Sequence, residues 1–326
     1  MSLSRLAWVV AAIEAVGAAV APPSPRPQPA GPPYRLVATL PSGVDGGQLR
    51  TFAFDPREKK VYAANNRGLY WMDLSEPDPR LKGPLTKKNI LKIEIAPELG
   101  RVFYATPDEV GYVDLEHGGD VLLVGNILAR DLVYEPTRQE VYVATRDPRL
   151  LVFDARSNRR GDPIPLPGWY GTELEAAGGR VFLSLGGKDG LYAIDAATHR
   201  IAPFKVSGRI VTPAYIEGDP SGQYLFLAYY REIVAIDIAR AAVVGRLVTA
   251  SRPTIAFDPG ERLLVATWAD EALPAGLAID VFRPDGLTMV AHLENPAVGR
   301  VGVEPTNHGF VQAGHLALLV WSSTGG

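Results

Sequence analysis

Apolar, β-branched and aromatic residues along this chain come in short runs separated by polar turns, as in VYVATRDPRLLVFDARSN (141–158). Two such runs joined by a brief turn predict a β-hairpin. The same arrangement recurs as VYAANNRGLYWMDLS, VFYATPDEVGYVDLE, VFLSLGGKDGLYAIDAA and LFLAYYREIVAIDIA. An aspartate closes the second run at positions 73, 114, 154, 195, 237 and 280, at intervals of 41, 40, 41, 42 and 43 residues. A further strand ending in a turn precedes most hairpins, with prolines at 56, 97, 136, 220, 259 and 305, and LEAAGG (174–179) serves where the proline is absent. A fourth run, such as IAPFKVSG or VVGRLVTA, follows each aspartate.

Four short strands in a unit of about 40 residues predict a β-propeller blade. A β-sandwich has strands every 8–12 residues but no recurring four-strand word. Six complete units start near residues 50, 91, 129, 170, 210 and 252. A seventh, RVGVEP, GFVQAG and HLALLVWSS, lacks an outer strand, and the leftover YRLVATLP at the front resembles the outer-strand word VGRLVTAS. The expected fold is all-β: a seven-bladed β-propeller over residues 35–326, closed by the N-terminal strand joining the last blade so that no long edge is left open.

The word VYVATRDPRLLVFDARSN, repeated as VFLSLGGKDGLYAIDAATH, resembles the YVTN-type repeat of seven-bladed propellers, related to WD40-like repeats, over essentially all of residues 35–323. The resemblance implies a propeller, and its relatives include extracytoplasmic binding and surface proteins, subunits beside redox enzymes, and lactonases. Most of the repeated residues are architectural on their own chemistry. Aspartate in D-A-R-S-N and D-A-A-T-H is expected to accept turn N–H groups two residues on. The aromatic runs, including Trp71 and Met72, are expected to pack between blades.

Residues 1–21 read as a signal peptide: Arg5 gives a positive start, and Leu6 to Ala21 form an apolar run ending in small residues. Glu14 interrupts that run, and cleavage after Ala19 is an alternative to cleavage beside Pro22. Residues 22–34 form a proline-rich linker. The expected location is periplasmic or secreted, with no membrane span after processing and a monomeric state. A net charge of −3 argues against general nucleic-acid binding. The absence of cysteine removes disulfides, thiol nucleophiles, iron–sulfur clusters and Cys-ligated zinc. No cofactor is expected; a divalent cation such as calcium has no supporting motif, and the histidines, among them His308 and His315, have no clear metal-ligand spacing.

Candidate chemistry falls where propeller loops gather at one end of the ring. Basic residues stand at the blade starts: Arg50, Lys92, Arg130, Arg209, Arg252 and Arg300. Aromatic residues cluster on consecutive blades: Trp169, Tyr170, Tyr229, Tyr230 and Trp268. One reading is a cationic, aromatic mouth for a small anionic ligand or a protein partner. The other is that the arginines bond neighbouring loops and the aromatics plug the core. Glu94, Glu173 and Glu217 lie eight residues before Val102, Val181 and Leu225, and are read as equivalent positions on innermost strands. They are weak catalytic candidates as acid and base, or they form ion pairs with the arginines. A binding or interaction module is the first functional expectation. A lactonase- or lyase-like enzyme is the alternative, and a non-catalytic subunit of a periplasmic redox complex is the third.

Overall fold

The computed structural model describes residues 34–41, 50–55, 57–77, 79–169, 171–185, 188–207, 210, 213, 215–258, 262–269, 277–294, 299–304, 309–314 and 317–323. The expected signal peptide and nearly all of the linker lie outside these residues, as do Tyr170, Arg209, His308 and His315.

The chain is an all-β propeller, with no α-helix among the described residues. Six blades are each four strands taken consecutively, every strand antiparallel to the next. Their innermost strands are Thr51–Asp55, Lys92–Ala96, Ala129–Glu135, Gly171–Ala177, Tyr215–Gly218 and Thr254–Asp258. A further four-stranded sheet is composite. Gly299–Glu304, Gly309–Gly314 and Ala317–Ser323 are joined by Tyr34–Pro41, which pairs antiparallel with Ala317–Ser323. Successive innermost strands lie side by side, and Gly299–Glu304 lies beside both Thr254–Asp258 and Thr51–Asp55.

The core sits between blades. Phe103 and Tyr112 of blade two pack with Tyr134 and Phe153 of blade three, the Phe103 and Tyr134 rings stacking at 6.1 Å. Phe226 of blade five stacks on Phe257 of blade six at 5.4 Å. Both faces of a blade are thus covered, which is why the middle strands read as continuous apolar runs.

Polar side chains also link the blades through backbone. Asp131 Oδ2 accepts the Leu174 N–H at 2.8 Å, Glu175 Oε1 that of Gly218 at 3.2 Å, and Glu217 Oε1 that of Phe257 at 3.0 Å. Each bond runs from one blade to the innermost strand of the next.

Five of the six recurring aspartates behave as turn residues. Asp154, for example, accepts the N–H groups of Arg156 at 3.0 Å and Ser157 at 2.7 Å, and these bonds hold its carboxyl below the usual value. Asp280 departs from that expectation. Val61 faces Met72 in blade one, and Leu264 faces Phe282 in blade six, so Arg283 takes the turn position. Asp280 lies inside the strand Leu277–Arg283, fully buried, with its Oδ1 against His292 Nδ1 from the neighbouring strand.

The hairpins of blades four and five meet at two glycines. A Cβ on Gly178 would stand 2.7 Å from Gly222 Cα, and Gly178 has φ +57°. Gly178→Val is therefore expected to destabilise the fold by about 2–4 kcal/mol, read as a lower urea midpoint. An unchanged midpoint would show that the two turns separate at little cost.

Candidate functional site

Innermost strands present alternate residues to the axis of the propeller, so the register with the second strand fixes each residue's level. Glu94 faces Phe103, and Glu217 faces Phe226. In blade four the partner at that level, Phe182, faces Glu175 rather than Glu173. The cause is the hairpin. Blade two closes through four residues between Ala96 and Arg101, whereas blade four needs only Gly178 and Gly179 between Ala177 and Arg180. Counting eight residues back oversteps by two. Glu173 instead faces Ser184, one level nearer the strand starts, with Lys92 opposite Ala105 and Tyr215 opposite Ala228.

These residues line a cavity of about 280 Å³. Its wall carries Glu94, Glu175 and Glu217 at the deeper level, and Thr51, Lys92, Glu173, Tyr215 and Thr254 nearer the strand starts. Lys92 Nζ stands 3.2 Å from Glu94 Oε1 and 3.7 Å from Asp131 Oδ1. Lys92 and Glu94 are 23% and 26% exposed, so the cavity reaches both groups.

The electrostatics follow from many carboxylates around one ammonium. Burial pulls the Lys92 pKa down, but Asp131, Glu94, Glu175 and Glu173 overcome this and hold it above the ordinary lysine value. Burial pushes Glu94 up against the pull of Lys92, with Asp131 adding to the rise. Glu175 stands well above the usual range, through burial and then the neighbouring charges of Glu217 and Glu94. Glu217 is pushed up to about 7, chiefly by burial, against the Phe257 N–H and Lys92. A carboxyl raised to about 7, as that of Glu217 is, exchanges protons near neutral pH.

Compared with models of protein families and with curated proteins, the chain matches none of either.

The structure divides the sequence candidates. Lys92, Glu94, Glu173 and Glu217 come together in the cavity wall. Glu94 pairs with Lys92 and Glu217 with a backbone N–H, where arginine partners were one expectation. Arg252, itself exposed and not part of the wall, lies at 4.9 Å over the ring of Tyr215, which is part of it. Arg50, next to Thr51, donates to Asn89 Oδ1 at 2.8 Å, and Arg130, next to Asp131, is exposed. Trp169 and Tyr230 are exposed, at 72% and 78%.

Tyr229 is a correction. Two-residue alternation puts it with Leu225 and Leu227 in the core between blades four and five, and it is only 8% exposed. Burial raises its hydroxyl pKa, and it lines no mouth. Trp268 and Arg300 belong to the strands Leu263–Ala269 and Gly299–Glu304, and their side chains lie outside the described residues.

Sequence reasoning missed Glu175. The signal that could have found it was the absent proline in LEAAGG, which marks a shorter hairpin. Among the described residues, no group of three or more His, Asp or Glu side chains is arranged to hold a metal ion, and no helix is long and apolar enough to cross a membrane.

Proposed function

We propose that this propeller is an exported, periplasmic or secreted binding module of the YVTN-repeat type, a seven-bladed ring closed by its N-terminal strand, that takes a small polar ligand in its axial cavity. A β-propeller fold supports a binding or interaction role in general. The observation that carries the finer reading is the cavity of about 280 Å³, whose charged wall is drawn from several blades. That volume is near the lower end of ligand sites, about 300–1,000 Å³. The sequence alone favoured a small anionic ligand or a protein partner at a basic, aromatic mouth; the acidic wall moves the proposed site inward and changes the sign of its floor.

A screen of small polar compounds by thermal denaturation tests this on the wild type and on Thr254→Trp, which places an indole at the cavity wall. A ligand at 100 times its Kd adds about 2.7 kcal/mol of stability. Compounds that stabilise the wild type are expected to lose their effect on Thr254→Trp. Equal stabilisation of both would put the ligand elsewhere, with the exposed Trp169 and Tyr230 then the leading surface for a partner.

A second reading has one specific support. Glu217, pushed up to about 7 beside Glu175, which also stands well above the usual range, has the acidity of a general acid–base group at neutral pH. A lactonase- or lyase-like activity would depend on that pair, and loss of turnover in Glu217→Gln with binding retained would distinguish it from binding alone.

A further inference from the structure

The cavity has two ends of opposite sign. Its deeper level holds Glu94, Glu175 and Glu217, and Glu173 stands one level above. Lys92 is the ammonium among them, already drawn to Glu94 and Asp131. An anion entering this level would meet carboxylates, and a cation would be attracted by them. The rim is different. Arg252, two residues before the wall residue Thr254, holds its guanidinium above the Tyr215 ring. A guanidinium at a cavity rim presents planar donors suited to a carboxylate or another oxyanion.

Resting on the reading of the cavity as the ligand site, we infer that it takes a small zwitterion, with its ammonium end among Glu94, Glu175 and Glu217 and its anionic end toward Arg252. The size agrees, since 280 Å³ suits a short linear molecule. The spacing can be set from the strand. Tyr215 lies two residues before Glu217, and two residues of strand rise roughly 7 Å. That separation corresponds to a flexible chain of a few methylene groups between the two charges. The Tyr215 ring, at the level above Glu217, supplies an apolar wall for those methylenes.

The test is calorimetric titration of the full chain at pH 8 with the unbranched ω-amino acids from 3-aminopropanoate to 7-aminoheptanoate. Pentylamine and pentanoate are the one-charge controls. Affinity is expected to peak within the series, with both controls at least tenfold weaker than the best member. Arg252→Gln should bring the amino acid down to the level of the amine. Glu217→Gln keeps an acceptor for the Phe257 N–H and should bring it down to the level of the acid.

Pentylamine binding as tightly as the best amino acid, with Arg252→Gln indifferent, would overturn the inference. So would pentanoate binding as tightly, with Glu217→Gln indifferent, or failure of every member to bind. Failure of the series while other polar compounds still stabilise the wild type and not Thr254→Trp would reject the zwitterion and keep the channel site. Compounds acting equally on both proteins would remove the channel site itself.

Discussion

Replacing Lys92 with methionine is expected to cost the fold about 3–5 kcal/mol at pH 8, and much less at pH 5. The ammonium stands within 4 Å of carboxylate oxygens on both Glu94 and Asp131, and the charges of Glu173 and Glu175 also act on it. Methionine matches the length of the stem but leaves those carboxylates without their cation. Removing one partner of a buried ionic group is far costlier than the net worth of the group, because the remaining charges have lost their water as well. Acid supplies a remedy. Glu94 and Glu175 already stand above their ordinary values, and loss of Lys92 raises them further, so acid protonates them more readily and removes part of the uncompensated charge. Urea unfolding of variant and wild type at the two pH values reads the difference directly. An equal loss at both would mean that Lys92 acts through packing alone, and no loss would mean that water screens the cluster.

Glu217→Gln has the opposite sign. A glutamate raised from its ordinary 4.5 to about 7 binds its proton more tightly in the folded chain than in the unfolded one. Its contribution is therefore fully present below pH 4.5 and is lost as pH rises to 7, leaving a buried charge that costs about 2–3 kcal/mol at pH 8. Glutamine keeps the oxygen that accepts the Phe257 N–H and never ionises. The variant is expected to unfold roughly 4 °C above the wild type at pH 8 and level with it near pH 4. A variant less stable than wild type at pH 8, or a gain independent of pH, would show that the carboxylate is better solvated than its surroundings suggest. A channel selected for stability alone would have favoured the amide.

The architecture was legible because its signal is repeated. One Asp in five of the six words closes a turn in the expected way, and the front strand Tyr34–Pro41 pairs with the truncated last unit as its sequence suggested. The site was legible only in part, since it depends on register, where an error of two residues changes the level. Glu173 and Glu175 are both acidic and both on the correct strand, and only the length of a glycine hairpin decides between them. Asp280 broke the pattern for the same reason: its strand runs three residues past it before turning, and an aspartate that resembled a turn residue is buried beside His292. Tyr229 and Tyr230 were indistinguishable in sequence, yet alternation buries one and exposes the other. The sign of the channel was hidden more deeply. The basic residues at the blade starts are contiguous with the strands, whereas the acidic level is assembled from blades two, four and five and exists only once they are brought together.

The composite sheet sets an order of assembly. Each of the six blades is made from strands that leave the ribosome one after another, so each can form soon after its own synthesis. Tyr34–Pro41 emerges before all of them and then waits for Ala317–Ser323, the last strand described. Until that partner arrives it is an unpaired edge, the kind of segment that finds other chains in crowded solution. Damage is displaced accordingly. Loss of Tyr34–Pro41 leaves blade one intact and strips the outer edge of its neighbour, so a lesion early in the described chain is felt only when its last described strand is made.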